Sequence, residues 1–581
     1  MGVSLKHFAA NNHEWNRMVI NVRVGERVLR EIYLKGFEIA VREAKPWTLM
    51  TSYNKINGIY TSESLGLLQS ILRDDWKFEG LVMTDWFGGK DPVAQMKAGN
   101  DLLMPGTQVQ QKTLMAAVQE GKLEEAVLDC NLERILDYVL KTPSFSGSAH
   151  SDRPDLKAHA AVARAAAAQG MVLLKNERAT LPLKPGLNLA IFGNTAYEMV
   201  TGGTGSGDVN EAYSISLLEG LKEAGFASDP SVVQAYASYL EEQRAKRPRP
   251  AIPFMLPPPI PERAVPVQEI AGITEAADMA LIVIGRNSGE FVDRRLENDF
   301  HLNDVEKTLL QDVATAFHAR KRKVAVILNI GGVIETASWR GLADAILLAW
   351  QPGQEAGHAI ADVLSGKVNP SGKLATTFPL NYADLPASSN FPGTVLEGPD
   401  PNNRSFMSGD RAAEVLYREG IWIGYRHFVS KNVQAAYPFG YGLSYTQFTY
   451  EKAELDSKTF KNRMTAKVTV KNTGKTAGKE AVQLYISAPA KSMEKPKYEL
   501  RAFAKTRLLE PGESETLAFV LVPEDLASFD AARSCWTAEP GRYTVLFGAS
   551  SEDIRKTVSF KLAGEWTGER LNQALSPQGE I

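Results

Sequence analysis

Short apolar runs alternate with amphipathic stretches over roughly the first 140 residues of the chain. The runs that indicate buried strands lie at 3–5, 47–52, 80–84 and 101–104. Apolar positions at 26–42 recur at helical spacing. This repeated strand-then-helix order predicts a parallel sheet with right-handed crossovers. About four such units fit, whereas a closed barrel needs eight. Residues 1–142 are therefore predicted to form about half of a (β/α) barrel.

A second region with the same alternation is predicted at 158–385, after a linker rich in Pro, Gly and Ser. Its apolar runs lie at 189–192, 280–285, 324–330 and 345–350. They predict an α/β sandwich with a mostly parallel sheet. Residues 386–445 show no clear periodicity, so we expect a connecting loop region there.

From about residue 446 the period of the apolar positions changes to two. Met464, Ala466, Val468 and Val470 alternate with polar residues, which is typical of a strand with one buried face. Turn signals separate further runs of this kind. The pattern predicts an antiparallel β-sandwich of the immunoglobulin or fibronectin type III kind over 446–563. The predicted fold class is therefore multidomain α/β plus all-β.

Length and composition agree with such a protein and exclude several functions. A chain of 581 residues needs three or so domains. A formal net charge of −3 gives no reason to bind nucleic acid, and no basic block or long apolar run indicates a membrane. Cys130 and Cys535 support neither a disulfide framework nor a zinc site. No signal peptide is visible, which favours the cytoplasm; a periplasmic or secreted location stays open if the start is truncated.

The first candidate for chemistry is Asp85, which ends the apolar run of the third predicted strand and precedes Trp86. The carboxyl ends of parallel strands carry the chemistry of barrel enzymes. A carboxylate beside an indole suits sugar chemistry, because the indole covers the apolar face of a pyranose while the acid reacts at C1. The alternative is an Asp that caps the following helix, and this segment alone does not decide between the two.

A second candidate acid, Glu290, follows the predicted strand at 280–285. Gly285 and Gly289 make its loop pliable enough to reach another domain. Cleavage of a glycoside with retention needs one ionised carboxylate and one protonated carboxyl about 5 to 5.5 Å apart. Asp85 and Glu290 would supply that pair. The alternative is that Glu290 or Asp293 pairs with Arg294 on the surface.

Polar side chains cluster at residues 6–17, directly after a predicted strand, and Tyr53 follows another strand in the same way. Cations, amides and imidazoles there suit recognition of sugar hydroxyls, although a solvated turn fits equally well. A zinc site at His13 fails, because the residue four positions on is Arg17 and not histidine. The glycine-rich stretch 202–208 lacks the lysine of a phosphate-binding loop, which argues against nucleotide binding.

Taken together, these segments resemble glycoside hydrolase family 3, in its β-glucosidase branch. The resemblance runs in order along nearly the whole chain. The matching segments are 6–17, 50–58, 82–86, 98–106, 202–208, 288–290, 369–374, 424–426 and 438–445. The resemblance implies barrel, α/β sandwich and fibronectin type III-like domains, with residues 1–142 as the C-terminal half of a (β/α)8 barrel.

The resemblance also implies roles, position by position. Asp85 would be the nucleophile and Glu290 the acid/base of a retaining, exo-acting β-glucosidase that releases terminal β-linked glucose from oligosaccharides or glycosides. The glycone subsite would be lined by Lys6, His7, Arg17, Tyr53, Trp86 and Ser206. No metal or cofactor is implied. We expect the cations to keep Asp85 ionised, and burial in the cleft to raise the pKa of Glu290.

The chain departs from the family pattern in two places. Phe291 stands where the family usually has Gly, and about four β/α units that precede Lys6 in the family are unmatched. The hypothesis is a truncated gene product, or a chain that pairs with a second copy or with a separate barrel half. The alternatives in function are a β-xylosidase or arabinosidase of the same family, or an inactive carbohydrate-binding fragment with an incomplete barrel. The expected partner is a small carbohydrate, with neither nucleic acid nor membrane.

Overall fold

The computed structural model describes residues 2–248, 257–287, 289–396 and 411–575. Ser288, from one of the matching segments, and residues 397–410 of the predicted connecting region lie outside these ranges. Within them, no helix combines the length and the apolar composition that crossing a membrane requires.

The first domain, residues 2–140, is built on a small parallel sheet. Its strands, in spatial order, are Ser4–Phe8, Thr48–Thr51 and Leu81–Met83. A single parallel bridge joins Met83 to Leu102, in the run where a fourth strand is predicted. Phe8, Leu49 and Val82 are fully buried against the flanking helices, as expected for a parallel sheet covered by its crossovers. The helical segments are Glu26–Val28, Leu29–Tyr33, Lys35–Ile39, Ala40–Ala44, Gly66–Asp75, Pro92–Ala98, Gln108–Gln119 and Glu125–Leu140.

The second domain, residues 156–445, contains a six-stranded sheet with helices on both faces. The strand order is Val172–Asn176, Ala345–Leu348, Lys323–Ile330, Met279–Arg286, Asn188–Phe192 and Ala227–Ser228. All neighbours are parallel except the first pair. This is the mostly parallel α/β sandwich that the sequence predicts. Its helices are Leu156–Gly170, Leu217–Glu223, Pro230–Lys246, Val267–Ala276, Asp304–Ala319 and Ala356–Leu364.

The predicted connecting region also contains regular structure. Strand Ala413–Leu416 pairs in parallel with Asn21–Arg23 of the first domain, and so ties the region to that domain. A helix, Tyr425–Lys431, and a short strand, Ala435–Tyr437, follow. Elements of three to seven residues are too short to give a periodic signal, which is why the sequence alone indicates a loop.

The third domain, residues 448–567, is a β-sandwich whose two sheets are antiparallel except where Thr459–Phe460 pairs in parallel with Ile554–Leu562. Met464, Ala466, Val468 and Val470 are all fully buried, so the predicted alternation along this strand is confirmed. One sheet consists of Phe448–Leu455, Met464–Asn472 and Ser514–Leu521. The other consists of Thr459–Phe460, Ile554–Leu562, Gly541–Gly548, Ala481–Ser487 and Glu499–Lys505.

After the sandwich the chain returns to the first domain. Leu575 is buried in the first domain's apolar core, and the Nδ2 of Asn57 donates a hydrogen bond of 2.6 Å to its carbonyl oxygen. Arg30 donates to the carbonyl oxygen of Asn572 at 2.7 Å. The segment that follows the sandwich is therefore bound to the first domain.

Candidate active site

The predicted site residues of the first domain lie at one edge of its sheet. Asp85 follows strand Leu81–Met83, Tyr53 follows Thr48–Thr51, and Lys6 and His7 belong to Ser4–Phe8. Because the three strands are parallel, their carboxyl ends meet at the same edge. The topology thus brings together residues that are up to about 80 positions apart in the chain.

Asp85 is nearly buried at this edge, with 13% of its side chain exposed. Its Oδ1 accepts a hydrogen bond of 2.7 Å from the backbone N–H of Trp86, which fixes the carboxylate plane. Its Oδ2 lies 3.4 Å from the Nε2 of His7. Burial, and then the charge of Asp85, raise the pKa of Tyr53, so that phenol stays protonated. Asp85 is held by donors and does not cap the following helix, whose N-cap is Asp91.

Glu290 approaches from the second domain, on the loop that follows strand Met279–Arg286. Its Oε1 accepts a hydrogen bond of 2.7 Å from the Nη2 of Arg17, and its Oε2 accepts one of 2.7 Å from the backbone N–H of Ser206. Arg17 belongs to the first domain, so this ion pair crosses between domains. The alternative prediction, a surface ion pair of Glu290 or Asp293 with Arg294, is wrong, because Arg294 pairs with Asp299.

The charge state of Glu290 differs from the expectation. Burial opposes its ionisation, but the hydrogen bonds from Ser206 and Arg17 outweigh burial and hold the pKa of Glu290 below its ordinary value. The expected rise was wrong for this state of the molecule. The sequence did not indicate that Arg17 would contact this carboxylate directly.

His7 lies close to both acids. Burial lowers the pKa of His7, whereas the charges of Asp85 and Glu290 both act to raise it. The same two carboxylates act on the phenol of Tyr53. Arg17, which donates to Glu290, also lies 5.0 Å from the ring of Tyr53, so side chains around the two acids form one cluster that spans both domains.

The remaining predicted residues are neighbours of this cluster in the chain or in charge. Lys6 is exposed, and its charge acts on His7. The indole of Trp86 is 53% exposed, so an apolar face is available to a ligand beside Asp85. Phe291 has a φ of 83°, in the region that favours glycine, and its ring lies 5.1 Å from the Arg17 guanidinium. Phe291 thus places an aromatic ring against the cation that holds Glu290.

Glu14 and Asp293 take part in contacts that the sequence did not indicate. The Oε2 of Glu14 accepts hydrogen bonds from Arg17 Nη1 at 2.9 Å and from the backbone N–H of Phe291 at 2.8 Å. In return, Asp293 accepts from the backbone N–H of Glu14 at 3.0 Å and of Trp15 at 2.8 Å. The only sequence signal was that both residues flank candidate site residues.

Two carboxylates that converge from separate domains, beside an exposed indole and several hydroxyl-binding groups, are the arrangement of a glycosidase. Comparison with known families narrows this class. The chain belongs to glycosyl hydrolase family 3. The model of the family's N-terminal domain matches residues 1–138, that of its C-terminal domain matches 171–445, and a fibronectin type III-like domain matches 480–551.

Individual relatives agree with this assignment. Thermostable beta-glucosidase B of Acetivibrio thermocellus is 36% identical over 560 residues, which cover 95% of this chain and 68% of that protein. An exo-alpha-(1->6)-L-arabinopyranosidase of Bifidobacterium breve is 34% identical, with 99% of this chain and 71% of that protein covered. Among solved structures, beta-glucosidase 3B from Thermotoga neapolitana in complex with glucose superposes with a TM-score of 0.91 at 45% identity, over 98% of this chain and 78% of that one.

Proposed function

We propose that this chain is a retaining, exo-acting β-glucosidase in which Asp85 is the nucleophile and Glu290 the acid/base. The observation that supports the proposal is that side chains of one cluster contact both acids, although the acids belong to different domains. His7 Nε2 lies 3.4 Å from Asp85, and Arg17, which donates to Glu290 at 2.7 Å, lies 5.0 Å from the ring of Tyr53. Relatives named as β-glucosidases over most of the chain support glucose as the sugar.

In the first chemical step, an oxygen of Asp85 attacks C1 and forms a bond to it, while the bond from C1 to the leaving oxygen breaks and Glu290 transfers its proton to that oxygen. In the second step Glu290, now a carboxylate, takes a proton from water. The water oxygen bonds to C1, and the bond between C1 and Asp85 breaks. The exposed indole of Trp86 would cover one face of the sugar ring, while Lys6, His7 and Arg17 would bind its hydroxyls.

Glu290 must carry a proton to begin this cycle, yet the pKa of Glu290 is low while Arg17 and Ser206 both donate to it. A sugar hydroxyl that accepts from Arg17 would draw the guanidinium away and let the pKa of Glu290 rise. Sugar binding and protonation of the acid are thus coupled in the proposal. The same coupling keeps the free enzyme's carboxylate ionised.

The extent of the barrel stays a prediction. The family model of the N-terminal domain matches residues 1–138, and the described part of this region forms three parallel strands and one further bridge. A second copy or a separate barrel half as partner is likewise untested. An inactive carbohydrate-binding fragment is the competing hypothesis, and the arabinopyranosidase relative keeps a pentose as an alternative sugar.

The test is hydrolysis of 4-nitrophenyl β-D-glucopyranoside, with the α-L-arabinopyranoside and the β-D-xyloside measured alongside. We expect the glucoside to be cleaved fastest, and Asp85→Asn to lower kcat by on the order of 10³-fold or more, because a neutral amide cannot form the glycosyl ester. Asp129→Asn, an exposed change on helix Glu125–Leu140, is the matched control and should stay within about twofold of wild type. Equal rates for wild type and Asp85→Asn would rule out the proposal.

A further inference from the structure

The contacts between the acid loop and the first domain are reciprocal. Glu14 of the first domain binds the backbone N–H of Phe291, next to Glu290, and Asp293 of the second domain binds the backbone N–H groups of Glu14 and Trp15. Each carboxylate thus accepts hydrogen bonds from the backbone of the other domain. All three hydrogen bonds are 2.8 to 3.0 Å long, which is the range of well-formed N–H to oxygen contacts.

Glu14 also shares a cation with the acid/base residue. The Arg17 guanidinium donates to Glu14 at 2.9 Å through Nη1 and to Glu290 at 2.7 Å through Nη2. All three side chains are mostly shielded, with exposed fractions of 11% for Arg17, 24% for Glu14 and 22% for Glu290. One positive charge therefore serves two carboxylates in a place where solvent screens them only in part.

We propose that Glu14 is a positioning residue for the reaction: it holds the Glu290 loop in register and draws part of the Arg17 charge away from Glu290. The inference rests on the proposed function, since it concerns the proton that Glu290 transfers. Glu14 does not touch the reacting atoms in this scheme. It acts through Arg17 and through the backbone of Phe291.

The other charged and titratable groups around these two carboxylates determine the direction in which the pKa of Glu290 should change when Glu14 is replaced. Glu290 is faced by Arg17, His7 and Tyr53 as well as by Glu14. Glu14 is faced by Arg17, Asp293 and Glu290. Burial lowers the pKa of His7 and raises that of Tyr53, so both are neutral at neutral pH. If Glu14 loses its charge, Arg17 acts on Glu290 without competition and the pKa of Glu290 falls.

The first measurement is the pH dependence of kcat/KM for Glu14→Gln. Glutamine keeps an oxygen that can accept from Phe291 and removes the charge. We expect the alkaline limb of the profile, which reports the proton on Glu290, to move to lower pH by roughly 0.5 to 1 pH unit. Glu14→Asp retains the charge and should restore most of the wild-type limb. Glu454→Gln, which removes an ion pair with Lys452 in the third domain, is the control and should leave the profile unchanged.

The second measurement compares leaving groups at one pH above the alkaline limb. A 2,4-dinitrophenyl glucoside needs little proton donation, whereas cellobiose needs it fully. Glu14→Gln should lower kcat/KM for cellobiose roughly three- to tenfold and for the activated glucoside by less than about twofold.

An equal loss on both substrates, or an unmoved alkaline limb in an active Glu14→Gln variant, would overturn the role of Glu14 while leaving the β-glucosidase proposal intact. No hydrolysis by the wild type would overturn the proposed function itself, and the role of Glu14 with it.

Discussion

Gly205 is the position where a single methyl group tests the geometry of the site most directly. It has a φ of +59°, and it lies beside Glu290 in the turn that also supplies the Ser206 N–H. A Cβ at Gly205 would stand 2.5 Å from the Oε2 of Glu290, 2.7 Å from its Cβ and 2.9 Å from the ring of Phe291. Gly205→Ala therefore places a methyl group against Oε2 of the proposed acid/base, whereas Arg17 binds Oε1.

Two effects add in this variant, and they can be separated. A left-handed backbone costs a non-glycine residue about 1 kcal/mol. The short contacts have a larger effect than the backbone strain. Non-bonded atoms stay about 3.5 Å from a carbon, so Glu290 or the turn must shift by roughly 1 Å to make room for the methyl group. A displacement of that size at a reacting group costs about 100-fold in rate, or about 2.7 kcal/mol in the barrier.

The assay is kcat/KM on an aryl β-glucoside together with the thermal midpoint. Gly186→Ala is the matched control, because Gly186 has a φ of +82° and an added Cβ there would meet open space, with no neighbouring group of the described chain within 4 Å. We expect both variants to lose similar stability and only Gly205→Ala to lose about 100-fold in kcat/KM. If Gly205→Ala stays as active as Gly186→Ala, Glu290 does not act from the position described.

Two further predictions concern the indole of Trp86 and the stability of the fold at acidic pH. Trp86→Ala should raise KM for the aryl glucoside about tenfold and leave the thermal midpoint nearly unchanged, because the indole is 53% exposed and contributes mainly to a bound ligand; an unchanged KM would contradict this. Asp362 accepts from Arg164 at 2.6 and 2.7 Å, and although burial opposes ionisation, these bonds and Lys367 lower the pKa of Asp362. A carboxyl whose pKa is lower in the folded than in the unfolded protein stabilises the fold at pH values above its unfolded-state pKa. This stabilisation is lost as the pH falls through the folded-state pKa. Asp362→Asn should therefore cost about 2 kcal/mol at pH 7 in denaturant unfolding, with the difference from wild type shrinking below about pH 4.

Much of the fold follows from local patterns in the sequence. The run at 189–192 falls within strand Asn188–Phe192, and the alternation at Met464–Asn472 appears as alternating burial. Both signals are local, because each residue's environment is set by the period of its own element. Strand Val172–Asn176 was missed, because its short apolar run follows the Ala-rich helix Leu156–Gly170 directly, and periodicity cannot distinguish so short a run from the end of a buried helix.

The sequence predicts which residues belong to the candidate site but not which of them contact one another. Asp85 and Glu290 could be chosen because each follows an apolar strand, and this placement depends only on nearby residues. The hydrogen bond from Phe291 to Glu14 joins positions 277 apart and exists only once two domains have docked. No local pattern encodes such a contact, and for the same reason the direction of the pKa shift of Glu290 was predicted wrongly.

The return of the chain end to the first domain bears on how this protein can be dissected. Leu575 fills part of the first domain's interior, and Asn57 and Arg30 bind the backbone around it. A fragment severed in the linker after residue 140 would carry an unfilled hole where that leucine belongs. A variant that lacks Leu575 and the residues after it would leave the same space unfilled.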